Sequence, residues 1–292
     1  MHVWNLGSIN LDRVFQVPRI VRPGETLASQ SVATFAGGKG ANQSIALARA
    51  GAKVMHIGRV GEDGRWLLDL LASEAVDVSH VQVAAEPTGQ AIIQVDDTGQ
   101  NAIVLDPGAN HAITRDDIER ALADSRPGDW FLTQNETSQV ADAIRMAKTR
   151  GLRVAFNPAP MTDSVLDCPL ESVDLLVVNE TEAAALTGLE DAEGQLRSCS
   201  ERWPNCEVVL TRGAQGAIAR GSDWHLAQAA TKTQVVDTTA AGDTFLGYYL
   251  AGLVEGRSPP ERLAWACRAA ACCVAKPGAS DSIPRRHEVP RG

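Results

Sequence analysis

"LLVVNETEAAALTG", Leu175 to Gly188, holds the unit from which the fold can be read. Four consecutive apolar residues read as a strand buried on both faces, because a strand wetted on one face would alternate with period two. "NETE" then interrupts with polar groups, "TEAAALTG" reads as a helix, and Gly188 stands where a left-handed C-cap is expected. The same order of apolar run, polar turn and helical stretch recurs along the chain. "VWNL" (3–6), "VMHI" (54–57), "WFL" (130–132), "RVAF" (153–156) and "EVVL" (207–210) read as further buried strands. "ANQSIALARAG", "DDIERALADS" and "SQVADAIRMAKTRG" read as amphipathic helices, two of them ending at Gly51 and Gly151. This alternation predicts an α/β fold: a mostly parallel central sheet between two layers of helices.

Two segments depart from that rhythm. "TLASQSVATF" (26–35) alternates with period two, and "QAIIQV" and "QNAIVL" flank "DDTG" as a hairpin turning at Asp97, Thr98 and Gly99. They predict a smaller β-sheet standing off the main one as a lid, from about 11–36 and 88–106, within one domain spanning 1–292. Apolar lid residues such as Val32 and Ile93 would be left exposed, which predicts a homodimer formed through the lid. The end, "RRHEVPRG" (285–292), reads as a loosely ordered tail.

Composition narrows the function. The 292 residues are 44% hydrophobic and 22% charged, enough for a large core. A net charge of -9 argues against nucleic acid or an anionic membrane as partner. Arg268 interrupts "LAWACRAAACCVA", the best candidate for a membrane span, and "MHVWNLGSIN" lacks the basic and apolar regions of a signal peptide. Six cysteines without a C-x-x-C pair read as reduced thiols of a cytoplasmic protein. Six scattered histidines offer no metal-ligand spacing.

The polar residues gather behind the predicted strands. "GSINLD" supplies Asn10 and Asp12, "TQNE" supplies Glu136, "RVAF" leads to Asn157, "NETE" supplies Asn179 and Glu182, and "TRGAQG" supplies Thr211, Gly213 and Gly216. Ligands of open α/β sheets bind beyond the carboxyl ends of the strands. In "DTTAAGDTFLGYYLAGL" (237–253) a helix starting near Asp243 or Thr244 would bury Phe245, Tyr249, Leu250, Leu253 and Val254 on one face. Its free amides and positive dipole end would point at what precedes it. Ala240, Ala241 and Gly242 would let that backbone approach a bulky anion, with Asp243 beside it as proton acceptor. Such a pairing suits transfer of a phosphoryl group to a hydroxyl; an Asp N-cap after an ordinary turn is the competing reading. "FAGGKGANQS" (35–44) is not a Walker A loop, since Ala33 stands where its first glycine belongs and Gly40 follows Lys39. Gly37, Gly38 and Gly40 would instead admit a polyol close to the backbone, with Lys39 and Asn42 as donors. A solvated surface lysine is the alternative for Lys39.

"GSINLD", "PGE" (23–25), "GGKGANQS", "PGAN" (107–110), "NPAP" (157–160), "NETEAAALTG" and "DTTAAGDTF" follow one another across nearly the whole chain. Together they resemble the signatures of the ribokinase (PfkB-type) sugar kinases. The resemblance implies a ribokinase-like three-layer fold with a β lid. It also implies transfer of the ATP γ-phosphate to the primary hydroxyl of a furanose, D-ribose first among the candidates. Fructose, ketodeoxygluconate or nucleoside phosphorylation are alternatives, as is a non-catalytic sugar sensor. Asp243 would be the base and the amides of Ala240, Ala241 and Gly242 the anion hole. Asn10, Asp12, Gly38, Lys39, Asn42 and Glu136 would hold the sugar. Asn179, Thr211, Gly213 and Gly216 would meet ATP, and Glu182, with Asn179, would position Mg²⁺ through water. Asp237, Thr239, Cys273, Gly278 and Ser282 would surround a monovalent cation, K⁺ by preference. Gln90 and Gln94 depart from the apolar lid strands of that family, and either the sugar or solvent could face them.

Overall fold

The computed structural model describes residues 1–291; Gly292, the last residue of the expected domain and tail, lies outside them. In chain order the elements are β1 (His2–Leu6), β2 (Asn10–Gln16), β3 (Ser31–Gly37), α1 (Lys39–Ala50), β4 (Lys53–Val60), α2 (Arg65–Ser73), β5 (Val76–Val83), β6 (Gly89–Val95) and β7 (Asn101–Asp106). There follow α3 (Arg115–Leu122), β8 (Trp130–Gln134), α4 (Val140–Thr149), β9 (Arg153–Asn157), β10 (Leu175–Asn179), α5 (Glu180–Thr187), α6 (Ala192–Arg202) and β11 (Glu207–Thr211). The chain ends with β12 (Ala217–Arg220), β13 (His225–Gln228), α7 (Ala241–Val254) and α8 (Pro259–Val274).

A nine-stranded sheet runs β13-β12-β11-β10-β9-β8-β1-β4-β5. From β11 to β5 neighbouring strands pair in parallel, and all six strands read from apolar runs lie in that stretch. β12 and β13 extend it antiparallel. Burial on both faces explains the continuous apolar runs. Val3, Val177 and Val209 face a cluster built with α1, α2, α7 and α8. Trp4, Leu176 and Val208 face the opposite cluster, with α3, α4, α5 and α6.

The second sheet, β3-β2-β6-β7, is the expected lid, and the turn at Asp97–Gly99 joins β6 to β7. There Asp96 Oδ1 accepts hydrogen bonds from the backbone of Thr98 and Gln100, which closes the turn. The "TLASQSVATF" strand is shifted: it begins only at Ser31 and continues to Gly37, in register with Gln16 and Asn10. Register also decides the faces, since paired residues share one. Asp12 pairs with Phe35 and Ala91, and Ala91 with Leu105, so these four stand together. Gln90 pairs with Leu11, and Gln94 with Phe15, so both glutamines lie on the face turned away from Asp12. Gln94 accepts a hydrogen bond from the Val21 amide at 3.0 Å. Val32, Phe35, Ile92, Ile103, Val104 and Leu105 are exposed, whereas Ile93 is half-buried.

The C-terminal segment is not loose. Val289 is buried, Arg286 pairs with Glu255, and Lys276 pairs with Glu288 at 2.8 Å. The segment is held by ion pairs: Arg285 and Arg286 reach Glu74 and Glu255, at the C-terminal ends of α2 and α7.

Candidate active site

α1 and α7 lie side by side and carry their N-termini to one place. Their close approach rests on Gly247, where a Cβ would come within 2.4 Å of Ala46 Cβ. Gly40 in turn presses α1 onto the end of β1, since a Cβ there would fall 2.4 Å from Gly7 Cα. The small residues of "GGKGANQ" thus serve helix packing as well as any ligand.

α7 begins at Ala241, two residues before the earliest start expected from the sequence. Its N-cap is Ala240, in the left-handed region at φ 59, with no side chain capping the helix. Thr244, Phe245, Leu246, Gly247, Tyr248, Tyr249 and Leu250 are all buried, so the helix is enclosed between α1 and α8 instead of amphipathic. Asp243 therefore sits in the first turn rather than at the cap. The Ala241 amide already donates to the Thr238 carbonyl at 3.2 Å; those of Ala240, Gly242 and Asp243 make no hydrogen bond to the described residues. The space before Gly242 is open, with nothing within 4 Å of a Cβ built there. An N-terminus bare of side chains and with free amides is an anion site.

Asp243 is held by α1. Asn42 Nδ2 donates to its Oδ2 at 3.2 Å and Gln43 Nε2 to its Oδ1 at 2.9 Å. Asn42 Oδ1 is buried without a partner, an acceptor awaiting a donor. Glu136 lies across the N-terminus of α1, accepting from the Lys39 amide at 3.1 Å and from Ser8 Oγ at 2.5 Å. Asn10, on β2, accepts from Asn110 Nδ2 at 2.7 Å. Room for the lid carboxylate comes from Gly37, where a Cβ would lie 2.1 Å from the Asp12 carboxyl. Asn10, Asp12, Lys39, Asn42, Glu136 and Asp243, together with Gly38 as the N-cap of α1, so converge from β2, α1, the turn after β8 and α7.

The charges respond to that crowding. Burial, then the carboxylates of Glu136 and Asp243, push Asp12 up to about 7. Burial also raises Glu136 and Glu182 above the usual carboxylate range. Burial works against the Lys39 ammonium, but Asp243, Glu136, Glu182 and Asp12 outweigh it and hold its pKa above the ordinary value. One cation thus serves four acids, in a polar pocket suited to a ligand rich in hydroxyls.

Beside it run two adjoining cavities. One of 210 Å³ is lined by Lys39, Asn157, Asn179, Glu182, Thr211 and Asp243. The other, of 400 Å³, is lined by Thr211, Gly213, Gly216, Lys232, Gly242 and Cys267, and the two share Gly242 and Thr211. The expected nucleotide residues thus lie along one groove that ends at Asp243. Leu246, though almost wholly buried, also lines the smaller cavity, whereas Tyr248 lies in the core. Asn179 and Glu182 form a capping box, with the Glu182 amide donating to Asn179 Oδ1 at 2.8 Å and Asn179 Nδ2 to Glu182 Oε1 at 2.9 Å. Asp237 accepts from the amides of Thr239 and Gly278, both at 2.9 Å. Cys273 Sγ lies 3.6 Å from the Thr239 carbonyl and 3.1 Å from Ser282 Oγ, so the five residues expected around a cation do meet. A further cavity, of 990 Å³ between α8 and the C-terminal segment, is lined by Arg257, Trp265 and Arg268 and by none of the residues singled out for ligand binding or catalysis.

Sequence reasoning named groups that the fold brings together at the cleft but missed those behind them. Gln43 was part of a quoted motif and Asn157 of a quoted turn, yet neither carried a role. Only the fold shows that both reach Asp243, Gln43 directly and Asn157 through Gln43.

The profile of the pfkB family of carbohydrate kinases matches residues 2–286. The ribokinase of Haemophilus influenzae is 40% identical over 97% of this chain and 95% of its own length. A crystal structure of ribokinase from Cryptococcus neoformans in complex with ADP superimposes with TM-score 0.85 at 34% identity, over 99% of this chain and 98% of that one. The Arabidopsis thaliana ribokinase complexed with ribose and ATP superimposes with TM-score 0.85 at 32% identity, over 99% and 97%. With its two-sheet fold, its signature motifs and this similarity along the full length, the chain belongs to the pfkB family of carbohydrate kinases.

Proposed function

We propose that this protein transfers the γ-phosphate of ATP to the primary hydroxyl of a furanose, with D-ribose as substrate and ribose 5-phosphate as product. The observation that carries the reading is the position of Asp243. Its carboxylate stands where the cluster of Asp12, Lys39 and Glu136 meets the groove, beside three unpartnered amides. Asp243 takes the proton as the hydroxyl oxygen attacks the γ-phosphorus. The new O–P bond forms as the bond to the β-phosphate oxygen breaks, and ADP leaves. The amides of Ala240, Gly242 and Asp243 and the positive end of α7 receive the developing charge. Asp12, Asn10, Asn42, Lys39 and Glu136 hold the sugar hydroxyls. Because Gln90 and Gln94 face away from Asp12, they do not argue for a different sugar. The ribose-bound Arabidopsis thaliana relative supports this choice.

Among the described residues no three His, Cys, Asp or Glu side chains gather as a metal site. A Mg²⁺ carried by the ATP phosphates would be met through water by Glu182, whose two oxygens each accept a hydrogen bond from Asn179 and keep a lone pair free. Mg²⁺ would neutralise phosphate charge in an acidic protein. The Asp237 carboxylate, the Thr239 carbonyl and the Ser282 hydroxyl supply the oxygens a hard monovalent cation takes, while burial keeps the Cys273 thiol protonated. The apolar row of Phe35, Ile103 and Leu105 on the Asp12 face of the lid fits a homodimer through that sheet. Among the described residues no helix is long and apolar enough to cross a membrane. The free cysteines and the acidic net charge support a place in the cytoplasm. A sugar panel in a coupled ADP-release assay tests the reading: ribose gives the highest kcat/KM, and no turnover with ribose removes it as substrate.

A further inference from the structure

Behind Asp243 runs a chain of buried amides whose polarity is set from outside the site. It starts at the Gly40 carbonyl, which can only accept. Asn5 Nδ2 donates to it at 2.8 Å and to Ser44 Oγ at 2.8 Å, leaving Asn5 Oδ1 to face Gln134. Gln134 Nε2 donates to Asn5 Oδ1 at 3.0 Å and to Gln43 Oε1 at 2.7 Å. Gln43 must therefore present its NH₂ group forward, to Asp243 Oδ1 at 2.9 Å. A second anchor agrees. The Val177 carbonyl takes Asn157 Nδ2 at 2.9 Å, so Asn157 Oδ1 accepts the other Gln43 hydrogen at 3.1 Å.

Asn5, Gln43 and Ser44 are 0% exposed and Gln134 is 1% exposed, so water does not offer these groups alternatives. Behind Ser44 stands His56. Its Nε2 lies 3.1 Å from the Gly7 carbonyl and must donate, so its Nδ1 accepts from Ser44 at 2.8 Å. Amide orientation in a buried network follows its unambiguous members, and here those are three backbone carbonyls. The arrangement leaves one orphan, the buried Gln134 Oε1. An acceptor left unpaired costs stability, and a flip of Gln134 would repair it only by turning oxygen against oxygen at Asn5 and Gln43.

We propose that Gln43 is a positioning residue for the phosphoryl transfer. Locked as a donor by Gln134 and Asn157, it fixes the Asp243 carboxylate through Oδ1 and aims its second oxygen, Oδ2, at the substrate hydroxyl. Oδ2 has the longer bond, 3.2 Å to Asn42, and is the oxygen that takes the proton. The other titratable groups around Asp243 are Lys39 on α1, Asp12 on β2, Glu136 after β8, Glu182 on α5, Asp237 before α7 and the protonated Cys273 thiol on α8. None of them replaces a fixed neutral donor at Oδ1.

This inference rests on Asp243 being the base, so the test separates the two. Gln43→Met keeps the length of the side chain and removes the donor, and Gln43→Glu places a second carboxyl against the first. Both are assayed with ribose and ATP between pH 5 and 9, beside Asp243→Asn, with melting temperatures taken in parallel. Gln43→Met is expected to lose about tenfold or more in kcat, with the sugar KM within about threefold, because the lost bond serves the reacting carboxylate. The acidic limb of its kcat profile moves to higher pH by about one unit, and that of Gln43→Glu by more, as a like charge disfavours ionisation. A merely structural role would lower the melting temperature and leave the limb in place, and that result overturns the proposal. Inactive Asp243→Asn beside a Gln43→Met variant with wild-type kcat and limb rejects Gln43 alone. Active Asp243→Asn rejects the base itself and Gln43 with it.

Discussion

Asp12 should make the protein's stability depend on pH in an unusual direction. The perturbation is Asp12→Asn, which keeps the shape and removes the titration. In the folded protein burial and the neighbouring Glu136 and Asp243 raise this carboxyl from 3.8 to about 7. At roughly 1.4 kcal/mol for each pH unit, that corresponds to a ceiling of about 4 kcal/mol. The folded state keeps the proton to higher pH than the unfolded state does. The contribution of Asp12 to stability is therefore fully present below about pH 4, and it is lost as pH rises to about 7. Ionised Asp12 strains the sugar-free pocket, and a donor from the ligand would relieve it. The assay is thermal unfolding of both proteins, without sugar, at intervals from pH 4.5 to 8. For a chain of this length the melting temperature of wild type relative to Asp12→Asn should fall by up to about 10 °C across that range. Because Asp12 sits on the lid, the fall also reports that the lid stands against the cleft. A difference that stays constant with pH would refute the reasoning.

Other outcomes follow from the same geometry. Burial lowers the pKa of His56 to about 4, so its contribution to stability, present above pH 6.5, should be lost on acidification towards 4; His56→Gln should flatten that slope in urea unfolding. Gly37→Ala puts a Cβ 2.1 Å from the Asp12 carboxyl and should raise the sugar KM about tenfold or more while the ATP KM holds, read by steady-state kinetics. Leu105→Glu places a charge in the exposed apolar row of the lid and should convert a dimer to monomers in sedimentation velocity; an unchanged species removes the lid as the interface.

The central strands were legible because burial on both faces writes itself as continuous apolar runs. β5 and β13 were not. "VDVSHVQV" and "HLAQ" mix polar and apolar residues because they are the edges of the sheet, with a wetted side. The start of α7 was misjudged by two residues because capping rules look for Asp or Thr, whereas the chain turns at Ala240 in a left-handed conformation. Residues proposed to face ligand were named from motif and chemistry. The amides behind them were silent, because Asn5, Gln43 and Gln134 acquire meaning only when segments 91 and 129 residues apart come together. The disposition of Gln90 and Gln94, open in the sequence, was decided by strand register.

The most direct measurement is the turnover of Asp243→Asn with ribose and ATP, together with calorimetric ribose affinity. If the carboxylate at the head of α7 removes the proton, ribose binds about as tightly as in wild type while kcat falls by about 10²-fold or more. An amide at that position with undiminished turnover would contradict the account.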